Sequence, residues 1–544
     1  MAANPDLYLG DVPLQKGSTP VPIWIRPADW LPMPMVNVGD QKVVGLAAVF
    51  NHESNFVAVR CAGAYTVDWG DGTAPENFAT DVIAMHNWSY TNVNSESLTT
   101  FGYRQVLVTI TPQAGQTLTK VDFNVKHTLA IDPFSGPWLD MRVAGASIAT
   151  LLVTSNGVNN PQRFLERFEF VGPNLITDFN YKFQNCSALA ELVFPDMSKG
   201  TSFVQFCINC NSLLRVDASD TRATPTLARV FENCRSLRTV KMGRMDSCTS
   251  FLTMFQNCRS LQEISLPTAG SKAGADMSNM FQNCTALRRV SLPNTNGVTN
   301  FTTAFQNCYV LEDVDIPVMS SAVTLTQMFE NCWSLRQISL GSTGPLGPNA
   351  TPSNMFRYCY SLVTASMPNT PAVAFSNTFE NCFNLKGVTL NTSNTTSMTS
   401  LFFNCWNLPE GPSLDMTKNT IMTTMFANCF ALVRIPTYNT SKVTSVSGTF
   451  NTAPSLPEVP ALDLPLVTNS TNWVNGCTRL SKSSVTNFKL SHSYASCTLN
   501  SAALDAIYTN LPTFTGIITV TGNYGTTADD PAIATAKGWT VTGS

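Results

Sequence analysis

Between residues 180 and 480 the apolar positions recur on a long period. A cysteine column runs through Cys186, Cys210, Cys234, Cys258, Cys284, Cys308, Cys332, Cys359, Cys382, Cys405, Cys429 and Cys477, at intervals of 23 to 27 residues until a last step of 48, within which Ala453 holds the column. A leucine follows three residues later, from Leu189 and Leu213 through Leu456 to Leu480. An aromatic precedes by three at Phe183, Phe231, Phe255, Phe281, Phe305, Phe329, Phe356, Phe379, Phe402, Phe426 and Phe450. Thirteen coils result. A unit of about 24 residues buries its apolar face only against its neighbours, so the pattern predicts a solenoid. In the consensus MFxNCxSLxxVxLP the first half has helical spacing and VxL alternates, which predicts a short helix and then one strand of a parallel sheet per coil. Thirteen strands about 4.8 Å apart would span roughly 60 Å. Pro267, Pro293 and Pro317 would end their strands.

The flanks read differently. Residues 40–112 carry the alternating runs VVGLAAVF, FVAVRCAG, AYTVDWGDGT and YRQVLVTITP, which predict an Ig-like antiparallel β-sandwich with Asp71-Gly72 as a tight hairpin turn. Residues 113–180, with KVDFNVKH and FLERFEFVG, predict connecting strands that cap the first coil. Residues 181–482 form the solenoid. Residues 483–544 predict a C-terminal cap: a helix in LNSAALDAIYTNLP with Ser501 as N-cap, then strands in IITVTGNYG and GWTVTGS. Residues 1–39 read as a docking segment in which Trp24, Pro27 and Trp30 are rigid apolar anchors. The fold class is thus mainly β with short helices, a sandwich followed by a parallel-sheet solenoid.

Charge narrows the partners. Charged residues are 13% of the 544 and the net charge is −3, a surface suited to contact with other protein. No lysine or arginine cluster offers a phosphate footprint, which argues against nucleic acid. No apolar run reaches the 18 residues of a membrane span, and the first twenty residues lack a secretory signal, so a soluble chain without membrane insertion is expected.

Sixteen cysteines raise metal or redox chemistry. A column one coil apart gives no tetrahedral convergence, however, and Cys186, Cys234, Cys258, Cys284, Cys308, Cys332, Cys382, Cys405 and Cys429 read as a buried structural ladder. In the one CxxC, Cys210 belongs to the column and Cys207 fills the phenylalanine slot. Asn185, Asn233, Asn331 and Asn428, each just before a cysteine, read as residues satisfying backbone groups in the turn. Asp68 and Asp71 fall far short of a calcium shell. No metal or cofactor is expected.

The position just after the column reads Ser187, Asn211, Arg235, Arg259 and Thr285, then Tyr309, Trp333, Tyr360, Phe383, Trp406 and Phe430, then Pro454 and Thr478. Six consecutive aromatics make a stripe, the candidate binding surface. Three readings stand open: core packing, a subunit or partner-protein interface, and stacking against sugar rings.

His52, His86, His127 and His492 lie in no zincin helix or nucleophile elbow. Asp529-Asp530 sits in a Gly/Thr-rich turn. A non-enzymatic protein is expected, although carboxylates from different coils could still build a glycan-degrading tailspike.

Two stretches resemble known families. YTVDWGDGT, with Trp69, Gly70, Asp71 and Gly72 as the signature turn and His86 and Tyr90 downstream, resembles a polycystic-kidney-disease (PKD) type Ig-like domain. The F-x-N-C-x-x-L core over residues 180–480 resembles the BspA-like leucine-rich repeats of bacterial, protist and some bacteriophage proteins. That resemblance implies adhesion and recognition. LYLGDVPL followed by IWIRPADWLPMP resembles the start of phage virion proteins, and the whole combination resembles tailed-phage structural proteins. It implies a tail fibre, baseplate or head-decoration component, assembled in host cytoplasm and located on the virion. Expected partners are other virion proteins and a host surface glycan or protein, and a homo-oligomer is compatible. The alternative is a bacterial or protist cell-surface adhesin.

Overall fold

The computed structural model describes residues 23–131, 135–154, 162–218, 224–242, 245–266, 269–340, 350–367 and 372–544, with two backbone strand pairs at 8–9 and 12–13. The chain divides into two compact units, Met1–Leu292 and Pro293–Ser544.

In the first unit, Lys42–Val49 pairs antiparallel with Arg104–Pro112 on one side and Trp138–Ala144 on the other. Tyr65–Asp68 and Glu76–Phe78 extend that sheet beyond Arg104–Pro112. A second sheet joins Phe56–Ala62 to Ile83–Asn87 and Lys120–Asp122, with Thr150–Leu152 parallel at its edge. Tyr65, on the first sheet, reaches Val59 O on the second with its hydroxyl, and both residues are fully buried. Seven of the eight residues of Lys42–Val49 are buried, as in a strand covered on both faces. Its Gly45 lies under the Trp138 ring so closely that any β-carbon would collide with it.

The first sheet then turns into the solenoid. Arg167–Val171 adds parallel to Trp138–Ala144, and Glu191–Val193, Arg215–Ala218 and Thr239–Met242 follow in parallel register, Arg167 to Glu191 to Arg215 to Thr239. One nine-stranded sheet therefore runs from the antiparallel layer into the coils. The edge that a first coil would otherwise expose is paired from the start.

Among the described residues the helix expected in each coil is absent. The described helices are the 3₁₀ turn Ser95–Ser97, Ser501–Asn510 and Ala532–Thr535. Around the phenylalanine each coil runs through turns, with two positive-φ residues four apart, one two residues before the phenylalanine and one just before the cysteine: Tyr181 and Asn185 at 59° and 60°, Gln327 and Asn331 at 57° and 63°, Ser400 and Asn404 at 52° and 60°. A right-handed helix cannot pass through left-handed residues. Asparagine tolerates that conformation best among residues with a β-carbon, which is why it precedes the cysteine.

The single long sheet is also corrected. Coil strands are two to four residues long and form short ladders, such as Gln337–Ser339, Thr364–Met367 and Gly387–Leu390 in the second unit. At Pro409-Glu410-Gly411-Pro412 the ladder thins to the single bridge Glu410 to Arg434, because prolines lack the donor that a ladder needs. Pro317 follows the strand Asp313–Asp315 as expected, whereas Pro267 lies outside the described residues.

At the end of the second unit, Ser501–Asn510 is capped by Asn500, whose side chain accepts from Ala503 N at 2.9 Å. This corrects Ser501, which is already helical. Lys537 Nζ donates to the carbonyls of Tyr508 and Leu511 at the other end of that helix. His492–Ser493, Gly516–Thr519 and Trp539–Thr542 form a parallel sheet after the last coil.

Candidate binding surface

Inside each coil the phenylalanines stack on their counterparts one coil away. In the second unit the ring centroids of Phe305 and Phe329 are 5.1 Å apart, Phe329 and Phe356 5.5 Å, and Phe356 and Phe379 5.4 Å, with planes within 10° of parallel. Beside them each thiol donates to the carbonyl of the aromatic residue in the preceding coil. Cys332 bonds to Phe305 O at 3.3 Å, Cys382 to Phe356 O at 3.2 Å, Cys405 to Phe379 O at 3.2 Å and Cys429 to Phe402 O at 3.2 Å. The first unit repeats this with Cys258 to Phe231 O and Cys284 to Phe255 O, while Cys234 donates to the carbonyl of Cys207, which fills the phenylalanine slot. A cysteine is small, apolar and still a weak donor, which suits a buried carbonyl at a turn. Cys186 and Cys308 are buried in the same column. Burial pushes the thiols of Cys258, Cys332 and Cys405 well above their ordinary range, and that of Cys207 up to about 11. Burial thus favours the protonated thiol, the environment of a structural cysteine. Among the described residues no three of His, Cys, Asp and Glu are grouped to hold a metal.

The asparagines do more than fill turns. Asn404 Nδ2 donates to Asn381 Oδ1 at 2.7 Å and Asn428 Nδ2 to Asn404 Oδ1 at 2.7 Å, and Asn209, Asn233 and Asn257 form the same chain in the first unit.

On the outside the six aromatics lie in one line. Centroid separations are 4.2 Å for Tyr309–Trp333, 5.9 Å for Trp333–Tyr360, 5.0 Å for Tyr360–Phe383, 4.1 Å for Phe383–Trp406 and 5.7 Å for Trp406–Phe430. Trp333 and Trp406 are each 41% exposed and Phe430 is 40% exposed, while Tyr309, Tyr360 and Phe383 are half-buried. The stripe is therefore not core. Backbone bonds set its pitch: Tyr309 O, Trp333 O, Phe383 O and Trp406 O each accept from the residue that follows the aromatic position in the next coil, as in Ser334 N to Tyr309 O at 3.1 Å. Neighbouring rings stack with interplanar angles of 11 to 28°, and the last pair, Trp406–Phe430, is tilted at 36°.

The docking anchors are spent within the chain. Trp30 is buried against Leu46, Ala48, Tyr103 and Leu139, and its Nε1 donates to the Tyr103 hydroxyl at 3.0 Å. Trp24 packs on the same cluster, and its Nε1 donates to Glu166 at 3.2 Å. Pro27 O accepts from Trp30 N. Between them Arg26 pairs with Asp140, which is fully buried, at 3.1 Å. Residues 23–36 are thus a strap covering the outer face of Lys42–Val49, which corrects the reading of Trp24, Pro27 and Trp30 as free anchors. Ile23 and Ile25 stay exposed, while most of residues 1–22 lies outside the described part.

In the WGDG turn, Trp69 stacks on His86 at 5.0 Å, His86 Nε2 lies 2.9 Å from Asp71 Oδ2, and Asp68 accepts from Gly70 N. Asp71 is thus engaged with His86 and with Thr73. Asp529 accepts from the Tyr508 hydroxyl at 2.6 Å and Asp530 from Ala532 N at 3.0 Å. His127 stacks on Phe56 and His52 on Phe50.

One feature escaped the sequence reading. In the second unit Thr396, Thr420, Thr444 and Thr468 each donate a hydroxyl to a backbone carbonyl one coil back, at 3.0 to 3.3 Å. The neighbouring positions Ser397, Ile421, Ser445 and Asn469 form parallel bridges. At its last coil this hydroxyl-rich face meets a shallow, open recess of about 500 Å³ lined by Thr468–Asn472, Leu490–Ser493, Ile517 and Thr519. The signal was present as TSMTS, TIMTT, VTSVS and VTNST, one coil apart, beside the more conspicuous F-x-N-C.

The chain is similar at the level of solved structures to a leucine-rich repeat protein from Bacteroides ovatus (16% identity, 70% of this chain and 91% of that one, TM-score 0.34). It is similar to a leucine rich repeat protein of T. pallidum (23%, 36% and 72%, TM-score 0.22) and a leucine rich cell surface protein from Faecalibacterium prausnitzii (16%, 50% and 90%, TM-score 0.25). No curated protein matches it. The family model for the BspA type leucine rich repeat region matches six copies over residues 165–252, 253–347 and 349–461, more than half of the sequence. On that match, the chain belongs to the BspA-type leucine-rich repeat proteins.

Proposed function

We propose that this is a non-enzymatic structural protein of a tailed-phage virion, whose aromatic stripe binds another protein during host attachment or particle assembly. The observation that carries the binding role is the stripe itself: six aromatic side chains on consecutive coils, held in line by backbone bonds and partly open to solvent. Exposed aromatics of this kind are what interface hot spots are made of. Sugar stacking needs open ring faces, and here the inner rings are covered by each other, so the stripe favours protein over glycan. The non-enzymatic reading draws on the engagement of the acidic and histidine side chains in turns, caps and ring stacks, and on thiols pushed up by burial.

The virion assignment draws on the N-terminal motif and on the PKD-like WGDG turn, whose Trp69, His86 and Asp71 pack as one unit. Exposed Ile23 and Ile25 offer the apolar contact that the buried Trp30 does not. The family match fits a bacterial cell-surface adhesin equally well. Mass spectrometry of purified particles separates the two: detection at a stoichiometric level supports the virion reading, and absence from particles with presence in the host envelope replaces it with the adhesin. In either setting, capture of the partner by wild-type protein but not by a W333A/W406A double variant with retained fold tests the stripe.

A further inference from the structure

We propose that the open recess at the end of the hydroxyl ladder in the second unit binds a neutral saccharide. None of its eleven lining residues carries a charge, and eight of them are Thr, Ser or Asn. Such a wall can donate and accept at many points but offers nothing to hold a phosphate or carboxylate. Its volume of about 500 Å³ suits a small ligand.

His492 supplies the second observation. Its side chain is over nine-tenths buried in the wall, stacked on Phe488 at 4.2 Å and met edge-on by Trp473 and Trp539. Its Nδ1 lies 2.7 Å from Leu490 O. A carbonyl only accepts, so Nδ1 carries the proton and Nε2 is a bare acceptor, with no hydrogen bond among the described residues. A ligand hydroxyl can donate to that acceptor. Ile517, 48% exposed, adds an apolar patch beside the polar wall. A pyranose has the matching character, with C–H groups on its faces and hydroxyls around its rim. The Thr396, Thr420, Thr444 and Thr468 series leads into the site one coil at a time, so a longer neutral glycan chain could extend along it. This site is separate from the aromatic stripe, and its test does not depend on that surface.

The test is calorimetric titration of the full chain with neutral hexose and N-acetylhexosamine oligomers (maltohexaose, cellohexaose, mannohexaose and chitotetraose) and with an acidic oligomer, oligogalacturonate. At least one neutral oligomer should bind, and T471R and I517D should each weaken it about tenfold or more with melting temperature unchanged. I517S serves if the aspartate variant fails to fold. The W333A/W406A variant should bind the oligomer as wild type does. No heat with any neutral oligomer at about 10 mM, binding only of oligogalacturonate, or binding indifferent to the Thr471 and Ile517 variants would each overturn the proposal.

Discussion

Phe383 and Trp406 stand one coil apart with ring centroids 4.1 Å from each other and planes 18° from parallel, yet Trp406 is 41% exposed. The pair is at once part of the fold and part of the surface. Its two contributions separate on mutation.

Trp406→Ala removes stacking worth about 1 kcal/mol and part of an already exposed apolar area. The melting temperature should fall by only a few degrees, while partner affinity should drop about thirtyfold or more if Trp406 is a hot spot. Calorimetry and a binding titration on the same protein read both. A large loss of stability with unchanged affinity would return the stripe to a purely structural role.

Asn404 combines a left-handed backbone with two side-chain bonds, donating to Asn381 and accepting from Asn428. Asn404→Ala loses both bonds and strains an alanine at φ 60°, for a cost of about 2 to 3 kcal/mol. Asn404→Gly loses the bonds without the strain and should be about 1 kcal/mol more stable than the alanine variant. Denaturant unfolding of the pair checks the ordering, and equal stabilities would mean that the backbone conformation carries no weight.

The thiols of the column should be inert in the native protein. All sixteen cysteines are buried, and burial raises the thiols above their ordinary range, as for Cys332 and Cys382. An aromatic disulfide reagent at pH 8 should label them only at the rate of unfolding. Cys405→Ala removes the thiol's bond to the Phe379 carbonyl, which keeps the bond from Cys382 N, and leaves a small void, costing about 1 to 2 kcal/mol.

Stability should depend on His492. Burial pushes its imidazole down to about 4 from an ordinary 6.5, so the folded state favours the neutral ring. The contribution is complete above about pH 6.5 and is lost as pH falls toward 4, by about 3 kcal/mol in all. Relative to His492→Phe, wild type should lose about 3 kcal/mol of stability as pH falls from about 6.5 to 4, read as a change in the separation of their melting curves. Parallel curves would show that the ring titrates normally.

Trp30→Ala should behave as a core mutation. Its ring fills a buried cluster and bonds Tyr103, so a loss of about 3 to 5 kcal/mol is expected. A stable variant that fails only in assembly would restore the docking role.

The sequence by itself determined the coil. Phenylalanine, cysteine and leucine at fixed offsets leave a 24-residue unit with one place to bury them, and the stack follows from repetition. It also marked the aromatic line, because residues one period apart must become neighbours. The period could not show the path taken within a coil: helical spacing and a turn with two left-handed residues both place Phe, Cys and Leu inward. Only the tertiary structure decided between them, through hydrogen bonds that run to the next coil, such as Asn404 N to Ala427 O, where a helix would bond within itself. Trp30 is the same case on a larger scale. Nothing local in an apolar, proline-rich leader tells whether it faces a partner or its own chain. The answer lies with Tyr103 and Leu139, more than seventy residues away. The recess likewise forms where the last coil meets the capping sheet, as Thr468–Asn472, Leu490–Ser493 and Ile517 come together from three segments that share no pattern.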